Sequence, residues 1–514
     1  MKYATTIIAI LATSLAMKGT AKVKNILFMP AMGAPSHVKS MIPLAENLVK
    51  DGHNISLVQY YNEKREKVTH DSIQFIYVLI SGMSLMSEKD EATIWRTKGL
   101  NRGPFFKSSW SASTACHRSR HAENHSDFYK KLSTLNWDLL IVDSIFQPCG
   151  MIFCVNTKNQ AWIDYSTTLM FQSVRRYRAS SVPSCAILSM SADSYQPSNF
   201  RNRLFSVVDD FAEQVFWFII NAHTIMLERF EDFVFSIEHT NAFYTNAVYS
   251  LGSLSPMLEV PLPQTMSTFS LDYACPKALS LSNEYKTISS TFEHLPQYRI
   301  VWQFNGNLNS LSNNSHLKLE PWIPLPSLLQ HPKTVLFITH SGMKSFREAI
   351  CFAVPMLSVP LFGDQIRNAA LTKMHGLGLS LDKTKLTNES FYETVVKVLH
   401  DQTYKQRVTK LSAMLSDNLI DETEKGSFWI SFYLRHPQNL LSPPSTNCLF
   451  IQRKFLQALS RNKRMSVVGC HNSIEQLQLK MSPCINFPAY FNCGSMKRVE
   501  SKSINAQLNN KKNW

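Results

Sequence analysis

Residues 321–368 read PWIPLPSLLQHPKTVLFITHSGMKSFREAICFAVPMLSVPLFGDQIRN, and no other stretch limits the architecture of this chain as tightly. An apolar run over Val335–Ile338 gives way to the turn Thr339-His340-Ser341-Gly342. A helical period follows over about Met343–Phe352, then a second apolar run over Pro355–Leu361. That order predicts strand, turn, helix, strand, a unit whose two strands must be parallel because a helix carries the chain back between them. A glycine-containing turn that opens a helix aims several unbonded N–H groups at one point, and the helix dipole adds positive potential there, which makes a seat for an anion. His340 can add a donor at the mouth of the turn. Ser345 falls in the first helical turn, and Glu348 follows on the same face, where a carboxylate suits the paired hydroxyls of a ribose.

The same alternation runs through both halves of the 514 residues, which are enough for two domains with their own cores. The first half opens with a strand over Asn25–Pro30, a loop through Gly33, a helix over about His37–Asp51 and a strand over Ile55–Gln59. Ser72–Ile80 reads as another strand, and Asp127–Leu135 as a helix leading to the strand Leu139–Val142. Long helical patterns occupy Phe205–Phe235. Past the Pro-rich Pro256–Pro263 the pattern resumes with a strand at Arg299–Phe304, then the 321–368 unit, a helix at Gln365–Met374 and a short strand at Leu377–Leu381. Helices at Asn388–Leu399 and Gln406–Ile420 complete it. We therefore expect two parallel-sheet α/β domains, 22–260 and 261–436, with a leader before them and a basic tail at 437–514.

Two residues stand where open α/β sheets place ligands, at the C-terminal edge of the first sheet. His37, in Gly33-Ala-Pro-Ser-His37, lies between a strand and its helix, and an imidazole titrates near neutrality, as a base should. Asp143 ends the strand Leu139–Val142. A carboxylate behind a histidine fixes its tautomer and stabilises the imidazolium. By position alone, a histidine at a helix start is more often a capping or surface residue, and a strand-end aspartate is often a helix cap. Asp138 is the rival partner, but it precedes the strand and belongs to the opposite edge.

Composition narrows the setting. Hydrophobic residues make up 44% and aromatics 11%, a globular balance. Lys2, the apolar run Ala4–Met17 and the small residues Gly19-Thr20-Ala21 read as a secretory leader. In that compartment Asn54, Asn124, Asn313 and Asn388 begin acceptor triplets for glycosylation. Ten cysteines show no zinc spacing, and Cys149 and Cys154, in an apolar run, read as core thiols. The net charge of +15 is concentrated at the end, where Gln452–Trp514 holds 11 Lys and Arg against 2 Glu. Such a tail can meet acidic membranes or nucleic acid, but no nucleic-acid-binding motif accompanies it, and a solvated tail is the plainer reading. After residue 21 no apolar run reaches the length of a membrane span.

Trp322, Pro324, His331-Pro332, Phe337, Thr339-His340, Gly342, Glu348, Pro355, Pro360 and Asp364-Gln365 together resemble the signature of the UDP-glycosyltransferases, most closely the animal UDP-glucuronosyltransferase type. The likeness extends over roughly 20–440, with gaps. It implies a GT-B-like fold, two Rossmann-like domains facing across a cleft, with acceptor bound by the first and UDP-sugar by the second. It also implies roles. His37 is the base and Asp143 its partner. Trp322 stacks on uracil, His340 meets the diphosphate, Gly342 and Ser345 cradle phosphate, Glu348 holds the ribose, and Asp364 and Gln365 bind sugar hydroxyls. No metal or cofactor is implied, the UDP-sugar being a co-substrate. The partners are that donor and a small lipophilic acceptor, not nucleic acid, with a membrane and a second copy left open. The compartment implied is the endoplasmic reticulum, lumen or membrane.

The chain departs from the family pattern in four places. Leu325 stands where a glutamine would bond uracil. Ser341 replaces the first of two glycines, and Lys344 replaces an asparagine. The strand and Phe-Gly-Ser loop that open the family's second domain have their nearest match in Ser267–Ala274, which has no glycine. Where animal members carry a spanning helix and a short basic tail, residues 437–514 are polar, basic and rich in Ser and Asn. The reading is thus a glycosyltransferase moving a hexose or hexuronic acid to a hydroxyl by inverting displacement. The alternative is a catalytically inactive paralogue that uses the same fold to bind.

Overall fold

A computed structural model describes residues 22–33, 35–61, 67–80, 110–117, 132–145, 147–156, 160–168, 175, 199–226, 242–252, 258, 267–271, 295, 297–303, 316–417 and 420–437. The leader, the basic tail, Asn124 and Asn313 lie outside the described residues.

The first half is built on a seven-stranded sheet of order β3-β2-β1-β4-β5-β6-β7, parallel throughout. Its strands are β1 (Asn25–Met29), β2 (Asn54–Tyr61), β3 (Gln74–Leu79), β4 (Leu139–Val142), β5 (Ala161–Ser166), β6 (Ser250–Gly252) and β7 (Thr268–Ser270). β1 and β4 sit at the centre. Their sequences, NILFM and LLIV, are apolar at nearly every position because both faces are covered. Helix α1 (Pro35–Lys50) presents Val38, Met41, Leu44, Ala45 and Leu48 to the sheet, a stripe at three- and four-residue spacing. It ends at Asp51-Gly52, and Gly52 takes a left-handed φ of 90°. Helix α2 (Pro148–Asn156) follows β4, and the 27-residue α3 (Phe200–Met226) follows β5.

The second half holds two parallel sheets. β8 (Ile300–Gln303) pairs with β9 (Leu317–Glu320), and β10 (Phe337–Thr339), β11 (Met356–Ser358) and β12 (Gly378–Ser380) pair in that order. The helices are α4 (Leu325–Gln330), α5 (Met343–Cys351), α6 (Asp364–Met374), α7 (Asn388–His400), α8 (Gln402–Ser416) and α9 (Glu422–Arg435). The strand Val335–Ile338 begins two residues later than the apolar run suggested, and Val335 is exposed. One apolar cluster crosses the halves, from Met29 and Val142 to Met343, Phe346 and Ile350.

Three findings correct the sequence reading. Thr268–Ser270 pairs with β6 as the last strand of the first sheet, so the first domain runs past residue 260 and this segment does not open the second. Short edge strands carry little periodicity, which is why Thr-Phe-Ser gave no sign of its sheet. α9 packs on α1 of the first half: Thr423 accepts a 2.7 Å bond from Asn47, and Ser431 donates to Asp51 at 2.9 Å. Gly426 sits at the contact, where a Cβ would lie 2.9 Å from the Leu271 methyls and 3.1 Å from a Leu44 methyl and would push those side-chain tips aside. Finally, Cys149 is not a thiol but is bridged to Cys116, while Cys154 is buried and unbridged.

Candidate active site

The order of the first sheet reverses at β1 and β4, and the loops leaving those two strands therefore diverge around an opening. Three residues just past strand ends converge there. His37 lies in the first turn of α1 after β1, Asp143 directly follows β4, and Thr167 directly follows β5. The loops are locked together, because the Gln147 amide donates to the Pro30 carbonyl at 2.6 Å while its own oxygen accepts from Gly150 N–H at 3.3 Å.

His37 Nδ1 is 2.7 Å from Asp143 Oδ2. Asp143 is fully buried, and its other oxygen accepts from Ile145 N–H at 3.1 Å. Thr167 Oγ1 donates to Asp143 Oδ2 at 2.5 Å and stands 2.6 Å from His37 Nδ1. Burial pulls the imidazole pKa down. The charge and hydrogen bond of Asp143, with the charge of Asp364, outweigh it and leave the value raised above 6.5. With Nδ1 held by Asp143, Nε2 is the nitrogen left to act on a ligand. Asp138 lies at the opposite strand end, binding Lys24 at 2.7 Å and Asn25 N–H at 2.9 Å.

On the other side, β10 ends at Thr339 and the chain turns through His340, Ser341 and Gly342 into α5. Ser341 has a left-handed φ of 62°, a conformation that favours glycine. Its hydroxyl donates to Ser358 at 2.6 Å and its carbonyl accepts from Asn368 at 2.9 Å. Gly342 lets the His340 ring lie flat against the turn, as a Cβ would fall 2.6 Å from its Nε2. His340 is open to solvent yet crowded by protein, and that crowding lowers its pKa against the opposing pull of Asp364. At the helix start, Met343 N–H donates to Asp364 Oδ2 at 3.3 Å, and Asn368 donates to the same oxygen at 3.0 Å. Burial raises the Asp364 pKa, with the Asn368 bond and the charges of His340 and His37 opposing. Asp364 thus stands between the histidines of the two halves.

Glu348 is buried, contrary to an ordinary exposed helix carboxylate, and its Oε1 accepts no hydrogen bond in the structure. Lys344 Nζ lies 3.8 Å away. Burial raises the Glu348 pKa and lowers that of Lys344 despite the pairing, so desolvation outweighs attraction at this distance. Trp322 is 60% exposed, hence not a packing residue, and Lys39 of α1 sits 5.9 Å above its ring. Ser345 is half-buried one turn inside α5, and Leu325 opens α4. Gln365 is turned inward, its oxygen accepting from Leu361 and Phe362 N–H at 3.0 and 3.2 Å, which leaves only its amide nitrogen for a ligand.

The sequence reading missed Thr167 and Lys39. Thr167 follows a six-residue strand, AWIDYS, that was not recognised, though a hydroxyl just past a buried strand is the available signal. Lys39 lies two residues past His37 on α1.

Residues 276–452 match the family described as UDP-glucoronosyl and UDP-glucosyl transferase. UDP-glucuronosyltransferase 1A6 of Oryctolagus cuniculus is 35% identical over 150 residues, 29% of this chain and 28% of that protein. UDP-glucuronosyltransferase 2B7 of Homo sapiens is 37% identical over 150 residues, with the same shares. The chain therefore aligns with little more than a quarter of the length of these relatives. Among solved structures, UDP-glucose: anthocyanidin 3-O-glucosyltransferase in complex with UDP superposes with a TM-score of 0.53 at 14% identity, covering 81% of this chain and 99% of that one. The glycotransferase of kitacinnamycin gives 0.51 at 14%, covering 80% and 100%. The architecture is that of GT-B proteins, two Rossmann-like domains.

Proposed function

We propose that this chain, a divergent member of the UDP-glucuronosyl and UDP-glucosyl transferase family through residues 276–452, is a UDP-glycosyltransferase. It moves a hexose or hexuronic acid from a UDP-sugar to a hydroxyl of a small lipophilic acceptor. The observation that carries the reading is the His37–Asp143 pair, held at 2.7 Å and facing Asp364 and the helix start of the nucleotide half. His37 Nε2 takes the acceptor proton while Asp143 stabilises the imidazolium. The acceptor oxygen attacks the anomeric carbon from the side opposite UDP, which inverts the centre. UDP departs toward His340, Ser345 and the N–H groups of α5, where its growing charge is met by donors already in place. Glu348 holds the ribose, Trp322 supports the uracil, Gly342 cradles phosphate through its backbone, and Asp364 with the Gln365 amide takes sugar hydroxyls. The Cys116–Cys149 bridge suits an oxidising compartment, and with the leader it supports synthesis into the endoplasmic reticulum.

A second reading has an observation in its favour. Lys344, where the family has asparagine, leans on the carboxylate meant for ribose, and Leu325 offers uracil no polar partner. A protein that keeps the fold but binds without turnover would look like this. Calorimetry on the full chain separates the two. UDP binding abolished by His340→Ala supports the donor site and justifies an acceptor screen with His37→Ala. Absence of heat from a folded protein ends the enzyme reading.

A further inference from the structure

Lys39 belongs to the first half of the chain, yet its ammonium lies over a ring of the second, 5.9 Å from the centre of Trp322. Among the described residues that ammonium makes no hydrogen bond and no ion pair. Its charge is felt at Lys344, where it helps to lower the pKa, and at Glu348, where it opposes the rise caused by burial. Lys39 therefore stands at the corner where Trp322 and Glu348 come together. A lysine on a helix ordinarily turns its head to water or to a carboxylate. This one, half-buried, is turned to an indole that is 60% exposed.

The spacing suits a third, planar group. A ring stacked on Trp322 lies about 3.5 Å from it, and an ammonium on the far face of that ring needs a similar distance, about 7 Å in all. The Lys39 head thus has about 1 Å to yield, which its flexible four-carbon stem supplies without moving the helix. Leu325, three residues after Trp322, brings no side-chain donor or acceptor to the edge of such a ring. Grip on the ring then has to come from its two faces. The rival ligand for the ammonium is the diphosphate. The phosphate seat is the start of α5, flanked by His340 and Ser345, whereas Lys39 stands over the indole.

We propose that Lys39 is a ligand of the donor's nucleobase: the base enters between the Trp322 indole and the Lys39 ammonium and is held by both faces, each half of the protein contributing one jaw. The inference rests on the glycosyltransferase reading, which makes the donor a UDP-sugar, and adds that its base bridges the cleft. The test compares UDP with uridine, which keeps the base and lacks both phosphates. UDP affinity is measured by calorimetry on the full chain, and uridine affinity by competition with UDP. Lys39→Met keeps the length of the side chain and removes its charge, and should weaken UDP and uridine by the same factor, about tenfold. Lys39→Arg should hold both within about threefold of the wild type. Because Lys39 makes no bond within the described protein, the neutral variant should melt with the wild type. Weaker UDP with unchanged uridine would assign the cation to the phosphates and overturns the proposal. Unchanged binding of both overturns it as well, as does uridine that fails to compete in the wild type. Each of those results leaves the donor site standing. A folded wild type that binds no UDP is a separate result, seen without any variant, and it ends the glycosyltransferase reading and this inference with it.

Discussion

The two sides of the cleft are prepared in opposite ways. Around His37 each polar contact of the dyad is made within the protein: Asp143 accepts from His37, Thr167 and Ile145. Around α5 a buried carboxylate oxygen of Glu348 has no hydrogen bond, and His340 stands open to solvent. Under the proposed function, the difference follows from the tasks. A base must be aimed and its tautomer set before the acceptor arrives, so its partners belong to the protein. A site that grips a nucleotide must keep its strongest groups unpartnered until the nucleotide supplies the missing atoms, and the protein carries the desolvation in the meantime.

The largest expected effect breaks the first side alone. His37→Ala should lower kcat by about 10²- to 10⁴-fold while leaving the UDP dissociation constant within a factor of two or so. Parallel loss of UDP binding in calorimetry would show that the two sides are not separable as described. Next, Glu348→Gln should weaken UDP about tenfold and raise the melting temperature, because it removes a buried carboxylate whose desolvation outweighs its attraction to Lys344 3.8 Å away. A lower melting temperature would mean that the pairing with Lys344 outweighs the cost of burial.

The pH dependence sharpens the contrast. The raised His37 pKa puts the acid limb of kcat/KM above the ordinary imidazole value of about 6.5, since only the neutral ring accepts a proton. Thr167 draws charge from Asp143, so Thr167→Val should move that limb up by a few tenths of a pH unit; no movement would make the hydroxyl a bystander. The same raised pKa has a stability consequence of opposite use. Protonated His37 favours the folded state below pH 6.5, and this contribution fades as pH rises through the folded value. The smallest effect concerns Ser341. Ser341→Ala keeps the left-handed backbone but loses the bond to Ser358, at about 1 kcal/mol, whereas Ser341→Gly trades that bond for relaxed backbone and should come out near neutral in urea melts.

Where the sequence carried a strong period, the fold could be read from it. β4 and the starts of α5 and α7 fall where expected, because apolar runs and cap residues are local signals. β5, β6 and β7 escaped, since three to six residues buried in a sheet owe their conformation to neighbours remote in the chain. The site divides likewise. His37 and Asp143 were legible as strand-end residues, and the structure sets them in contact. The inward turn of Gln365 depends on the loop at Leu361–Phe362, which no spacing encodes. Lys39 above Trp322 depends on how two halves meet.

The return of α9 to α1 has a consequence for how such a protein can be cut or recombined. The final described helix of the second half is part of the floor of the first, seated where Gly426 meets Leu44 and Leu271. Neither half is therefore a cassette. A chimaera that exchanged second halves between relatives would import a foreign α9 against a resident α1, and the join would have to lie between residues 417 and 421 for each helix to keep the surface it evolved with.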